Sequence, residues 1–241
     1  MQDIMQVYNK YLLSESGRHK QKYKKFKGWF SASSAGSCFI KQHLKKIGAE
    51  EKGMDERTMR VLRLGTIVHA DIADAIEYYL GVSAAEDAND NDWFVEHQIK
   101  IPELNVVGHL DFAVHSPTDD IVRVYDIKTA HSFKWKKVFG RNIDPKPSVN
   151  YQLQLGTYGI GMANELDTAN VELGLIWYKK DDSRMKYQMI DDIWLDNAYE
   201  YWIELNETLE KGVPEVGDAN APVYAWECRY CPYQGIDCDG V

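Results

Sequence analysis

A mixed β-sheet flanked by helices, within one α/β domain, is the fold this sequence predicts, and two observations predict it. Hydrophobic residues make up 44% of the 241-residue chain and charged residues 27%, a balance that supports a substantial core. The apolar period then alternates along the chain between helical and extended spacing. The order is helices, three strands, a helix, two strands and a closing helix.

Each element has its own signal. Residues 1–30 form a basic N-terminal arm, helical or loose through residue 27, and 31–241 form the domain. Ser33 or Ser34 caps a helix that carries Cys38, Ile40, Leu44 and Ile47 and stops at Gly48. Residues 55–80 read as one long helix or two joined ones, through Met59, Leu62, Ile67, Ala70, Ala73 and Ile76. The acidic, Asn-rich 82–92 is a loop. Residues 93–101 alternate as a strand. Residues 104–115 and 121–129 follow around the turn Ser116-Pro117-Thr118-Asp119-Asp120, an antiparallel hairpin. A short helix at 131–139, a Pro-rich loop at 144–147 and a helix at 148–164 come next. A second hairpin, 170–179 and 184–190, turns at Lys180-Asp181-Asp182-Ser183, and an amphipathic helix at 192–211 ends near Gly212.

The net charge of −9 argues against a protein that coats nucleic acid non-specifically, but it is compatible with a local basic groove. Basic residues gather early, at Arg18, His19, Lys20, Lys22, Lys24, Lys25 and Lys27, then at Lys41, Lys45 and Lys46. Such a run is a solvated face or a contact for a phosphate backbone. No apolar run reaches the length of a bilayer span, and the polar N-terminus lacks a signal-peptide core. The expectation is a soluble, cytosolic protein with no membrane contact. No Gly-x-x-x-x-Gly-Lys-Ser/Thr motif is present, so the chain is not itself a helicase.

The chemistry concentrates on the first hairpin. Asp111 falls in Gly108-His109-Leu110-Asp111 on one strand, and Asp126-Ile127-Lys128 falls on the next. Two carboxylates on adjoining strands share a divalent cation, and Lys128 projects from the same strand face as Asp126. Oxygen ligands with a lysine beside them form a site for phosphodiester hydrolysis. His69 lies upstream in the long helix and Glu96 on the preceding strand. Gln154 and Tyr158 are four residues apart on one helix face. Taken singly, each has a plain reading as a core or solvated residue; the order and placement of the set carry the signal. Trp29, Phe30 and Tyr151 offer stacking surfaces for single-stranded DNA.

Four cysteines bracket this region: Cys38, then Cys228, Cys231 and Cys238 in the C-terminal segment 226–241. Four thiolates suit either tetrahedral Zn²⁺ or a [4Fe–4S] cluster, and spacing alone does not separate the two. Either group would staple the C-terminal tail to the N-terminal helix.

Together these motifs resemble the PD-(D/E)XK nuclease superfamily in its RecB-like branch, across roughly residues 30–240. Gly108 to Asp111 match its Gly-x-x-Asp element, Asp126-Ile127-Lys128 its Asp-x-Lys element, Gln154 to Tyr158 its Gln-x-x-x-Tyr helix, and His69 its upstream histidine. Ile127 stands where Val or Tyr is common. The resemblance implies a restriction-endonuclease-like core. It implies Mg²⁺ or Mn²⁺ bound by Asp111, Asp126, the Ile127 carbonyl and His69, with Glu96 as an outer or second-metal ligand. Lys128 would activate water, and Gln154 and Tyr158 would orient Lys128 or the substrate backbone. The layout of one early and three late cysteines, with Pro232 after Cys231, is similar to CRISPR-associated RecB-like exonucleases and AddB-type nuclease domains. It implies a [4Fe–4S] cluster, with Zn²⁺ as the alternative. The implied substrate is DNA, single-stranded or with free ends, cut as an exonuclease with 5′ polarity. A structure-dependent endonuclease, a spacer- or end-processing nuclease, and a catalytically silent DNA-binding module are the alternatives. A helicase or a CRISPR or recombination protein is the implied partner.

Overall fold

The computed structural model describes residues 4–23, 26–83, 91–216 and 225–240. Lys24 and Lys25 of the basic arm and most of the acidic loop lie outside the described residues.

Among the described residues, six strands form one mixed sheet. They are β1 (Phe30–Ser31), β2 (Asp92–Ile101), β3 (Val106–Ser116), β4 (Ile121–Ala130), β5 (Val171–Lys179) and β6 (Met185–Ile190). β2 pairs antiparallel along the length of β3. The other edge of β3 is shared. β1 runs parallel to its start at Phe30↔Val106, and β4 runs antiparallel to its end, from Ser116↔Ile121 to Phe112↔Tyr125. β4 continues parallel to β5, which pairs antiparallel with β6.

The helices are α1 (Ile4–Tyr23), α2 (Phe39–Ile47), α3 (Glu56–Ser83), α4 (Ser132–Phe139), α5 (Val149–Leu166) and α6 (Ile193–Lys211). α5 lies against one face of the sheet with α6 outside it. Gly156 makes their close crossing possible, because any Cβ there would collide with the Trp194 carbonyl. The principal core forms between these layers, around Ile99, Leu110, Leu155, Met162, Trp177 and Trp202. α3 crosses the other face, where Gly65 approaches Thr129. It is one continuous helix, started by Asp55, whose carboxylate accepts the Thr58 N–H at 3.0 Å. Among the described residues, no helix is long and apolar enough to cross a membrane.

Three expectations are corrected. The N-cap of α2 is Cys38, not Ser33 or Ser34. Ser34 sits in a preceding 3₁₀ turn and donates instead to the Gln42 side chain at 2.9 Å. Phe30 is not a stacking surface for DNA: it is 2% exposed and stacks on Trp202. Phe30–Ser31 is a sheet strand too short for any periodicity to reveal. β3 begins at Val106, after a 3₁₀ turn at Pro102–Leu104, where the Pro102 ring removes a ladder donor. Gly48 ends α2 as expected, with a left-handed φ of 76°.

Candidate active site

The sheet is irregular at one point, and the catalytic candidates collect there. Residues that face α5 alternate along β3 as Gly108 and Leu110. Then the pattern shifts by one residue, and Ala113 faces the core beside Val124. The shift falls at Asp111. Directly across on β2, the ladder skips Glu96, which holds a left-handed φ of 47°. That conformation is uncommon for a residue with a Cβ and costs on the order of 1 kcal/mol. The paired irregularity turns Asp111 out of the alternation and toward β4.

β3 and β4 part at the same level. Their ladder ends at Phe112↔Tyr125, and the N–H of Ile127 finds its acceptor in a side chain, the Asp111 Oδ2 at 2.5 Å. The other oxygen of Asp111 lies 3.4 Å from Nδ1 of His69, on α3. Asp111 thus sits at the seam between the two helical layers.

On the α5 side of β4, Asp126 and Lys128 share a face as expected. Asp126 is 1% exposed, and its Oδ2 lies 2.5 Å from the Lys128 ammonium. Gln154 organises both. Its Nε2 donates to Asp126 Oδ1 at 3.2 Å and to the Tyr158 hydroxyl at 3.0 Å, and its Oε1 accepts from Lys128 at 3.0 Å. Tyr151, one helical turn before Gln154, places its ring 4.8 Å from the Lys128 ammonium.

Burial raises the Asp126 carboxyl well above the carboxylate range, the nearby Asp111 adding to it, while Lys128 acts against the shift. Burial would depress Lys128, but Asp126 and Asp111 outweigh it and hold the ammonium above its ordinary value. The site is a charged pocket in a low-dielectric setting, with two carboxylates and one fixed cation.

Gly108 has a packing role. A Cβ there would lie 2.6 Å from Ala32 Cβ and 2.9 Å from the Tyr158 ring. The glycine leaves room for the Tyr158 ring against β3, so that α5 packs close to the sheet. Sequence reasoning matched Gly108 as a motif letter without this reason.

The donors that suit a hard divalent cation are present: the Asp111 and Asp126 carboxylates and the main-chain oxygen of Ile127. Glu96 lies on the strand beside Asp111 but is an exposed residue. Among the described residues, no three His, Cys, Asp or Glu side chains are yet drawn together as a ligand set.

The four cysteines form a second, separate location. Cys38, Cys228, Cys231 and Cys238 line one pocket with Ile40 and Tyr233. Beneath it, Ile40, Leu44 and Tyr233 make a small cluster apart from the principal core. Tyr201 of α6 steadies the Cys38 end, donating to the Ser37 carbonyl at 2.8 Å and accepting from Gln42 at 3.0 Å. The tail is tied by Lys52 N–H to the Pro232 carbonyl at 2.9 Å. Burial raises the Cys38 thiol, with Cys238 and Cys228 adding to the effect.

Comparison with known proteins shows the family and the fold. The family described as the PD-(D/E)XK nuclease superfamily matches residues 55–238. No curated protein matches the sequence. Among solved structures, the crystal structure of SSO0001 is similar at a TM-score of 0.54 and 16% identity, covering 98% of both chains. An alkaline exonuclease from Laribacter hongkongensis is similar at a TM-score of 0.50 and 16% identity, covering 80% of this chain and 94% of its own. At such identities the likeness is one of fold: the mixed sheet flanked by helices.

Proposed function

The chain belongs to the PD-(D/E)XK nuclease superfamily, and from that premise we propose that it is a divalent-metal-dependent deoxyribonuclease, an exonuclease on single-stranded DNA with 5′ polarity. The observation that carries the hydrolytic reading is Gln154, which holds Asp126, Lys128 and Tyr158 in one network beside Asp111. Exonuclease action is the activity of the similarly folded Laribacter hongkongensis enzyme, and the RecB-like motifs suit it equally. The 5′ polarity rests on those motifs alone.

Asp111, Asp126 and the Ile127 carbonyl would bind Mg²⁺ or Mn²⁺, with His69 completing the set or orienting Asp111. When bound, the cation polarises the scissile phosphate and eases the ionisation of water. Lys128 stabilises the negative charge that develops on the phosphate, from a site where water does not screen it. Gln154 aims the lysine, and Tyr158 fixes the amide that does the aiming. Asp126 keeps the lysine protonated.

The cysteine pocket is read as the seat of a [4Fe–4S] cluster. The four cysteines line one pocket, where four thiolates suit either group; the layout of one early and three late cysteines favours the cluster over one tetrahedral Zn²⁺. Iron and sulfide analysis of anaerobically purified protein, with a visible spectrum, tests this; a colourless protein with one zinc per chain overturns it.

Digestion of end-labelled linear and circular DNA, single- and double-stranded, with Mg²⁺ or Mn²⁺ tests the activity. Linear single strands should shorten from the 5′ end and circles should persist. Cut circles would make the chain an endonuclease. A purified protein that binds DNA and never cuts it would be a silent binding module.

A further inference from the structure

Two lysines approach one aromatic ring beside the site, and a third stands on the neighbouring turn. Lys134, on the first turn of α4, places its ammonium 3.7 Å from the centroid of Tyr151. Lys128 approaches the same ring at 4.8 Å. Lys180, on the β5–β6 turn, lies beside the start of α4: its N–H donates to the Ala130 carbonyl at 2.9 Å, and the next residue, Asp181, accepts from the Ser132 N–H. In a chain of net charge −9, this concentration of cations needs a reason.

The carboxylates nearby do not supply it. Asp126 pairs with Lys128. Asp181 accepts from the Ser132 N–H and hydroxyl at 2.6 and 2.9 Å, fixing the start of α4. Asp182 is taken by Lys179 and Arg184. Lys180 donates to the Val61 carbonyl at 3.3 Å, and the contact of Lys134 is the ring. Neither pairs with an acid among the described residues, so both keep capacity for an external anion.

Phe133 stands beside Lys134 on the first turn of α4 and is 77% exposed. The opposite side of α4 is anchored by Trp135 and Val138 in the core, so the helix is held firmly while Phe133 faces water. A rigidly mounted, exposed aromatic next to unpaired cations is the combination that binds unpaired nucleotides: phosphate on the cations, base on the ring.

We propose that Lys134, Lys180, Tyr151 and Phe133 form a seat for one single-stranded nucleotide immediately outside the scissile phosphate. Lys134 and Lys180 hold its phosphate, and Phe133 stacks its base. These are positioning residues, and the seat gives the active site its preference for single strands. This rests on the DNA reading above, but it is tested by binding without cleavage.

The test is fluorescence anisotropy of a labelled single-stranded oligonucleotide and its duplex in EDTA, with the full chain. Replacing both lysines (Lys134→Ala with Lys180→Ala) should weaken single-strand binding about tenfold and flatten the salt dependence by about 0.7 per contact removed. Lys134→Arg should restore part of that affinity. Phe133→Ala should weaken single-strand binding about tenfold and leave duplex binding unchanged, since a paired base does not reach the ring. In cleavage assays each change should raise KM with kcat held. Unchanged affinity and salt slope in the double variant, or an equal loss on both DNA forms for Phe133→Ala, overturns the proposal. A wild-type chain that binds but does not cut sinks the nuclease reading and leaves the seat standing. One that binds no DNA sinks both.

Discussion

The active site and the cysteine pocket are built on opposite plans. Around Asp126, four side chains are joined by hydrogen bonds and one ion pair, on top of the principal core and between two helical layers. Around the cysteines, a satellite cluster of Ile40, Leu44 and Tyr233 supports a tail that shares few elements with the sheet. The first location is preorganised by protein alone. The second leans on whatever its thiols hold, because so small a cluster buries little apolar surface. Damage at the first should therefore remove activity without unfolding, and damage at the second should do the reverse.

The largest expected effect tests the first half. Asp126→Asn should drop metal-dependent cleavage by roughly a thousandfold or more, while the fold survives at a lower Tm, because the buried Lys128 ammonium loses its closest partner but still faces Asp111. Activity assays beside calorimetry check this. Residual cleavage near wild type would remove Asp126 from the chemistry.

Cys231→Ser tests the other half. Losing the bound group should cost about 3 kcal/mol, a fall in Tm of roughly 10 °C, with early proteolysis of the C-terminal segment. The sheet should stay protected in hydrogen exchange. An unchanged Tm would mean that the pocket holds nothing structural.

Gly108→Ala is a smaller test that couples packing to chemistry. Its methyl would press on Ala32 and Tyr158, costing about 1–3 kcal/mol. As Tyr158 shifts, Gln154 loses a partner, so kcat should fall while metal affinity is kept. The smallest effect expected is from His69→Ala, about a tenfold loss of metal affinity with little change in stability, measured by titrating Mn²⁺ against activity.

Much of this was legible in the chain. Asp126 and Lys128 share a strand face because the period of two demands it, and Gln154 and Tyr158 share a helix face for the corresponding reason. The two hairpins were marked by their turns. Other features were hidden because they depend on distant residues. Phe30 looked like an available aromatic near a basic arm, yet Trp202 and Val106 draw it into the core. Ser34 looked like a cap, yet Gln42 claims its hydroxyl. The short helix at 131–139 was legible, but that its Lys134 meets the Tyr151 ring of α5 was not.

The sequence by itself determined the kinds of element, their order and the chemical types at the site, because periodicity, turn residues and motif spacing act over a few residues. Tertiary structure decided where those types meet. The irregularity shared by Glu96 and Asp111 brings Asp111 across to Ile127. The close approach allowed by Gly108 seats the Tyr158 ring against β3, and Gln154 beside it reaches Asp126 and Lys128 on β4. The fold also gathers Cys38 with three cysteines from the other end of the chain. The reason is the same in each case: contacts between residues far apart in sequence form only when the whole core packs, and no local pattern encodes which neighbour will arrive.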